Sequence, residues 1–320
     1  MKRRSFLAAM GALPSAVAAS SFVAADSFSA SPPVFLDYSQ AQMDIAYDQS
    51  FWAADINGLQ AGDGTASAAA RAKIPPRTMH YGPGVNDLID VFTPANASGV
   101  PIMVFTHGGA WEFNTRLDAS YPAPTFVGRG AAYVTPDFEN VKIVTLPQMV
   151  ENCRRALEWT FRNAASFGGD PARIYLSGHS SGGHLAACLL TTDWAARGLP
   201  KDVIKGGLVM SGMYELYPVM ISSRRTYVHI TAEEEAALSP MRHLDQIACP
   251  IAVLNADKDS PEFIRQGTVF AEALRGMGRL ADRKILFDTN HFEEPEELAK
   301  PDSEVSAVAF KLMDCKRPPA

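Results

Sequence analysis

Along residues 101–106 the chain runs Pro-Ile-Met-Val-Phe-Thr and then breaks at Gly108-Gly109. A short, unbroken apolar run of this kind predicts a strand buried on both faces. Similar runs at 131–134, 173–176, 207–210, 251–254 and 284–287 predict five more strands. Between them the spacing changes. Leu146, Met149, Val150, Cys153, Leu157, Thr160, Phe161 and Ala164 recur at intervals of three and four, which predicts an amphipathic helix over 146–167 ended by Gly168-Gly169 and Pro171. Helices are likewise predicted over 185–196, 261–277 and 304–313. Residues 81–92, interrupted by Pro83-Gly84, read as a hairpin on the sheet's edge. Strands alternating with helices predict an α/β fold with a mostly parallel central sheet covered on both faces.

Two segments fall outside the alternation. Residues 35–78 are mixed and helical in tendency. Residues 213–238 form an insertion that contains Thr231-Ala232-Glu233-Glu234, the start of a capped helix. Both are expected to form a small lid over the carboxyl edge of the sheet, where open α/β folds bind their ligands.

Composition narrows the class. With 320 residues, 47% of them hydrophobic, the chain can bury a large core, and a formal charge of −6 argues against a nucleic-acid partner. The first 25 residues read as an address. Arg3-Arg4-Ser5-Phe6-Leu7 fits a twin-arginine export pattern, and Ala16-Val17-Ala18 or Val23-Ala24-Ala25 could end it. Residues 26–320 would then form a single domain. Losing Lys2, Arg3 and Arg4 takes the formal charge from −6 to −9. The expected product is acidic, periplasmic or secreted, and free of the membrane, and a homodimer is compatible with the sequence. Cys153, Cys188, Cys249 and Cys315 form no CxxC pair and no metal spacing. Four cysteines allow three full disulfide pairings, and burial as small apolar side chains is an equal alternative.

The chemistry concentrates in Gly178-His179-Ser180-Ser181-Gly182, a G-x-S-x-G stretch between a predicted strand and a predicted helix. A nucleophile on so tight a turn needs small residues two positions away on either side. Only Ser180 has glycine at both. Ser181, at the helix start, would lend its backbone N–H to a developing oxyanion. Upstream, His107-Gly108-Gly109-Ala110-Trp111 offers the amides of Gly108 and Gly109 for the same purpose. The base and its orienting acid should follow in the order acid, then histidine. His291 stands after the last predicted strand, and Asp257 and Asp259 share the loop before it. His107 is expected to support its loop and His184 to pack in the helix. His80, His229 and His243 are expected at the surface or in caps. Trp111, Phe113 and Tyr214, with Trp52, are candidates for an aromatic substrate pocket.

The HGGAW and GHSSGG segments resemble the hormone-sensitive-lipase branch of the α/β-hydrolases. Residues 209–216 (VMSGMYEL), 238–245 (LSPMRHLD), 259–266 (DSPEFIRQ) and 290–292 (NHF) resemble the arylformamidase, or kynurenine formamidase, family. The likeness covers roughly residues 45–314. It implies an α/β-hydrolase fold and a Ser180–Asp259–His291 triad, which favours Asp259 over Asp257. It also implies oxyanion donors at Gly108, Gly109 and Ser181, and no cofactor or metal. The implied reaction is hydrolysis of N-formylkynurenine, or of related aryl formamides and small esters, through an acyl-enzyme. The export signal, and Asp137 where relatives tend to carry an aromatic, open a second reading: an exported esterase or amidase acting on an external ester, amide or carbamate. A non-catalytic binding protein on the same fold is the rival of another class. The presence of Ser180, Asp259 and His291 together argues against it.

Overall fold

The computed structural model describes residues 32–315, so the proposed export signal lies outside the described residues. Eight strands form one sheet: β1 (Arg77–His80), β2 (Leu88–Phe92), β3 (Val100–Thr106), β4 (Ala132–Pro136), β5 (Gly169–His179), β6 (Ile204–Met210), β7 (Ile251–Ala256) and β8 (Leu280–Leu286). Their spatial order is β1-β2-β4-β3-β5-β6-β7-β8. The first two strands pair antiparallel at one edge, and every pairing from β4 to β8 is parallel. The edge hairpin is present but shifted. Its first strand precedes Tyr81, and Tyr81–Asp87 is the turn, closed by Gly84 N–H donating to Asp87.

Alternation along each strand divides the core in two. On one face Ile102, Val104, Ile251 and Val253 pack under α4 (Leu146–Asn163), α5 (Ser181–Leu190) and α8 (Pro261–Gly276). On the other, Met103, Phe105, Ala252 and Leu254 pack with Phe126 of α3 (Ala123–Gly128) and Phe310 of α10 (Glu304–Leu312). Helices thus cover both faces of a sheet that carries the α/β-hydrolase fold.

Helix boundaries follow local chemistry. Helix α4 starts in a Thr145/Gln148 capping box and gives way to a 3₁₀ turn that Gly168 ends at φ 79°. The helix predicted over 185–196 begins earlier, at Ser181, and stops at Leu190. There the hydroxyls of Thr191 and Thr192 donate back to the carbonyls of Ala187 and Cys188.

The two segments outside the alternation are helical. The first forms α1 (Gln40–Ala46) and α2 (Ile56–Lys73), and the second forms α6 (Tyr217–Ile221), a 3₁₀ turn at Ser223–Thr226, and α7 (Ala232–Leu238), which starts in the expected Thr231/Glu234 box. They are tied together: Arg225 donates to Asp44 at 2.7 Å and Gln40 to the carbonyl of Ile221 at 2.7 Å. All four cysteines are free thiols, and Cys153, Cys188 and Cys249 are buried.

Candidate active site

Register gathers the site. Thr106 pairs with Gly178 and His179 pairs with Met210, so the loops after β3, β5 and β6 leave the sheet side by side. The loops after β7 and β8 leave from the same edge.

Ser180 is the pivot. It stands between β5 and α5 at φ 56°, ψ −125°, outside the ordinary regions for a residue with a Cβ. Such a conformation costs about 1–3 kcal/mol and persists only where its surroundings impose it. They do so here by crowding. A Cβ on Gly182 would lie 2.1 Å from the carbonyl oxygen of Thr106, so strand and helix touch backbone to backbone. The Ser180 amide donates to Met210 O at 2.9 Å, which fixes the elbow on β6.

His291 Nε2 lies 2.9 Å from Ser180 Oγ, and His291 Nδ1 lies 2.7 Å from Asp259 Oδ1. All three residues are buried. The carboxylate sets the tautomer: Nδ1–H donates to Asp259, and Nε2 is left to accept from the Ser180 hydroxyl. Asp259 Oδ2 accepts from Ser211 and, at 3.4 Å, from Asn255. Asp257 plays another part. It accepts from the amides of Asp288 and Thr289 at 3.0 Å each and so holds the loops after β7 and β8 together.

The loop after β3 faces Ser180. A Cβ on Gly108 would sit 3.3 Å from Ser180 Cβ. Gly109 (φ 113°), Ala110 (54°) and Trp111 (64°) follow one another at positive φ, a turn in which a Cβ on Gly109 would strike the Phe113 carbonyl at 2.3 Å. The amides of Gly108 and Gly109 donate to no acceptor among the described residues, and Ser181 opens α5 with its N–H free of the helix ladder. These are the three donors that the sequence pointed to. The loop is anchored at two points: Trp111 binds His184, and Arg116 pairs with Asp137 and Asp90. Asp137 thus holds an arginine rather than facing substrate. His107 stacks on Phe138 at 4.2 Å and donates from Nδ1 to the Gly108 carbonyl, the supporting part expected of it. Burial pushes its pKa below the usual histidine range.

A cavity of about 290 Å³ opens over Ser180 and His291. Its walls include Tyr47, Gln60 and Asp63 from the N-terminal segment and Arg224 and Tyr227 from the insertion. Of the four aromatics proposed for the pocket, Phe113 lines it. The other three do not. Trp111 is buried with its indole against His184, and Tyr214 stacks on Phe270 with centroids 4.1 Å apart. Trp52 donates its indole N–H to Ile45 O at 2.9 Å, which turns the ring along its own segment. In each case a bond or stack available only in the folded chain turns the ring away from the cavity.

Two wall residues carry no signal in the sequence. Arg224 is 3% exposed and its guanidinium lies over the rings of Tyr47, Trp111 and Phe263. Its donors reach only the Tyr47 carbonyl at 3.4 Å and the Met213 sulfur at 3.6 Å, and no carboxylate pairs with it among the described residues. Asp63 is pushed up to about 7, first by burial and then by Glu296 and Asp118.

The BD-FAE family model matches residues 89–204, the span that holds Gly108, Gly109 and Ser180. The kynurenine formamidase of Danio rerio is 29% identical over 86% of this chain and 97% of its own length. The kynurenine formamidase of Salmo salar is 31% identical over 73% of this chain and 80% of its own. A candidate thioesterase from Silicibacter sp. TM1040 superposes with a TM-score of 0.73 at 25% identity, over 83% of this chain and 98% of that one. A relative 31% identical over 73% of this chain and 80% of its own length, with the fold shared at a TM-score of 0.73, makes this chain a hydrolase, and a member of the kynurenine formamidase family of α/β-hydrolases.

Proposed function

We propose that the protein is a serine hydrolase that cleaves an aryl formamide, of which N-formylkynurenine is the model, through a formyl-enzyme. The observation that carries this is the Ser180–His291–Asp259 row of hydrogen bonds beside three unspent amides. Ser180 Oγ attacks the formyl carbon as its proton passes to His291 Nε2. The amides of Gly108, Gly109 and Ser181 hold the oxyanion, and each such donor is typically worth about a hundredfold to a thousandfold in rate. His291 then protonates the departing arylamine nitrogen and the C–N bond breaks. Water, deprotonated by His291, attacks the formyl-Ser180 ester and releases formate, restoring Ser180.

Arg224 favours the formamide over a neutral ester. A buried guanidinium without a counter-ion is costly, and its fork matches a carboxylate. N-formylkynurenine carries a carboxylate, whereas a simple aryl ester does not. The twin-arginine-like start supports export, and with it the second reading, an external ester or amide as substrate.

Turnover of N-formylkynurenine beside a short p-nitrophenyl ester, by the wild type and by Ser180→Ala, tests this. Formamide turnover that drops by about 10⁴-fold or more in the variant is expected. Ester turnover alone would keep Ser180 and replace the formamide reading with the esterase one. Full activity in the variant on either substrate would remove Ser180 from the chemistry.

A further inference from the structure

Behind the Ser180–His291–Asp259 row lies a second carboxyl that the proposed steps do not use. Glu294 sits three residues after His291 on the short helix α9 (Glu293–Glu296) and exposes none of its surface. Its Oε2 is in hydrogen-bond contact with Ser211 Oγ, and the same Ser211 Oγ is in contact with Asp259 Oδ2. A serine hydroxyl has one proton to donate. It cannot serve two carboxylates at once, and two oxygens in contact without a proton to share repel. One of the carboxyls must supply the second proton.

The surroundings decide which. Asp259 is met by donors on both oxygens, His291 on Oδ1 and Asn255 on Oδ2. Glu294 Oε1 has no hydrogen-bond partner. The basic group nearest Oε2 is His179 Nε2 at 3.8 Å, and burial together with His291 keeps that ring neutral. Arg283 of β8 acts on Glu294 only through its field, since its donors go to the Val253 and Lys284 carbonyls and to Thr268. The buried hydroxyl of Tyr214 also feels the charge of Glu294. Burial first, and then the charge of Asp259, hold the carboxyl of Glu294 well above the usual range.

We infer that Glu294 is a protonated positioning residue: it donates to Ser211, Ser211 donates to Asp259, and the two bonds fix the carboxylate that orients His291. This rests on the triad reading above. The arrangement gives Asp259 two hydrogen-bonded dipoles at its back without placing a second charge beside it. Ser211 is held for the purpose at φ 43°, strained like Ser180 on the neighbouring strand end.

The full-length enzyme with Glu294→Gln, Glu294→Ala, Ser211→Ala and the Glu294→Ala/Ser211→Ala pair tests this. Gln keeps a donor and the shape, so kcat should stay within about threefold of wild type and the acid limb of the kcat/KM profile should not move. Glu294→Ala should lose roughly tenfold to a hundredfold in kcat with KM little changed. The double variant should be no worse than the more impaired single one, because both break one chain. Infrared difference spectra at neutral pH should show a protonated carboxylic C=O stretch that Glu294→Gln removes. If Glu294→Gln is as impaired as Glu294→Ala, if its acid limb moves to lower pH, or if no such band exists, the proposal is overturned. The band and the Gln variant decide the matter even if Glu294→Ala does not fold. Loss of the triad reading would show separately, as activity retained by Ser180→Ala.

Discussion

The indole N–H of Trp111 donates to His184 Nδ1 across 3.3 Å, bonding the loop of Gly108 and Gly109 to the helix that begins just after Ser180. The ring's other nitrogen donates to the Leu238 carbonyl at 2.9 Å, so His184 also ties in the end of α7. Trp111→Phe keeps the ring against the core and removes one bond. We expect a loss of about 1–3 kcal/mol in stability. A fall of roughly tenfold in kcat should accompany it, as the amides of Gly108 and Gly109 drift from the oxyanion. Thermal melts and steady-state kinetics check both.

The same histidine gives a pH prediction. Burial holds the His184 pKa down at about 4, against 6.5 for an ordinary histidine. The unfolded chain therefore takes up a proton that the folded chain refuses. His184 contributes stability that is fully present above pH 6.5 and is lost as pH falls towards 4, by on the order of 3 kcal/mol. Denaturant unfolding across that window should be less steep in pH for His184→Gln. Some slope should remain, because His107 and His179 are depressed in the same direction.

Asp257 and Asp259 stand two residues apart on one loop and should part sharply under substitution. Asp259→Asn leaves His291 in the wrong tautomer and should cost about 10⁴-fold in kcat. Asp257→Asn weakens a tie between two loops, and kcat should change by no more than about threefold. Equal losses in both would place the orienting acid elsewhere.

Arg224→Gln separates recognition from chemistry. Hydrogen bonds to a charged group are worth about 1.5–3 kcal/mol, so KM for a carboxylate-bearing formamide should rise roughly tenfold to a hundredfold. Turnover of an uncharged p-nitrophenyl ester should be unaffected. An equal effect on both substrates would make Arg224 part of the scaffold alone.

Gly182→Ala should be among the most damaging single-methyl additions in the chain. The new carbon meets backbone oxygens of Thr106 and His107 at 2.1 and 2.3 Å, and backbone cannot step aside. A loss on the order of 3 kcal/mol or more is expected. Gly62→Ala, inside α2 with nothing within 4 Å, is the control and should gain about 1 kcal/mol of stability. Chemical denaturation of the two variants measures the contrast.

Much of this was legible along the chain because it depends on neighbours in sequence. Apolar runs ending at Thr106, Leu176 and Met210 mark strands β3, β5 and β6, and strand ends in a parallel sheet share an edge. Glycine at 178 and 182 singles out Ser180 over Ser181 by local crowding alone. Those signals sufficed for the sheet, the helices on its two faces, and the candidates Ser180 and His291, while the choice of Asp259 over Asp257 came from the family resemblance. Other features depend on residues that sequence order keeps apart. Asp257 and Asp259 have the same local surroundings, and only the path of the chain after β8 brings His291 to one of them. Trp111 and Tyr214 are pocket aromatics by composition and core aromatics by packing, a choice made by His184 and Phe270. Arg224 and Glu294 sit in unremarkable local sequence, and Ser211, though inside the 209–216 segment, carries no local sign of its role. Their importance comes from burial, which strips a guanidinium of its counter-ion and keeps a carboxyl protonated. Burial is a property of the closed tertiary structure, so no local pattern of residues could have announced it.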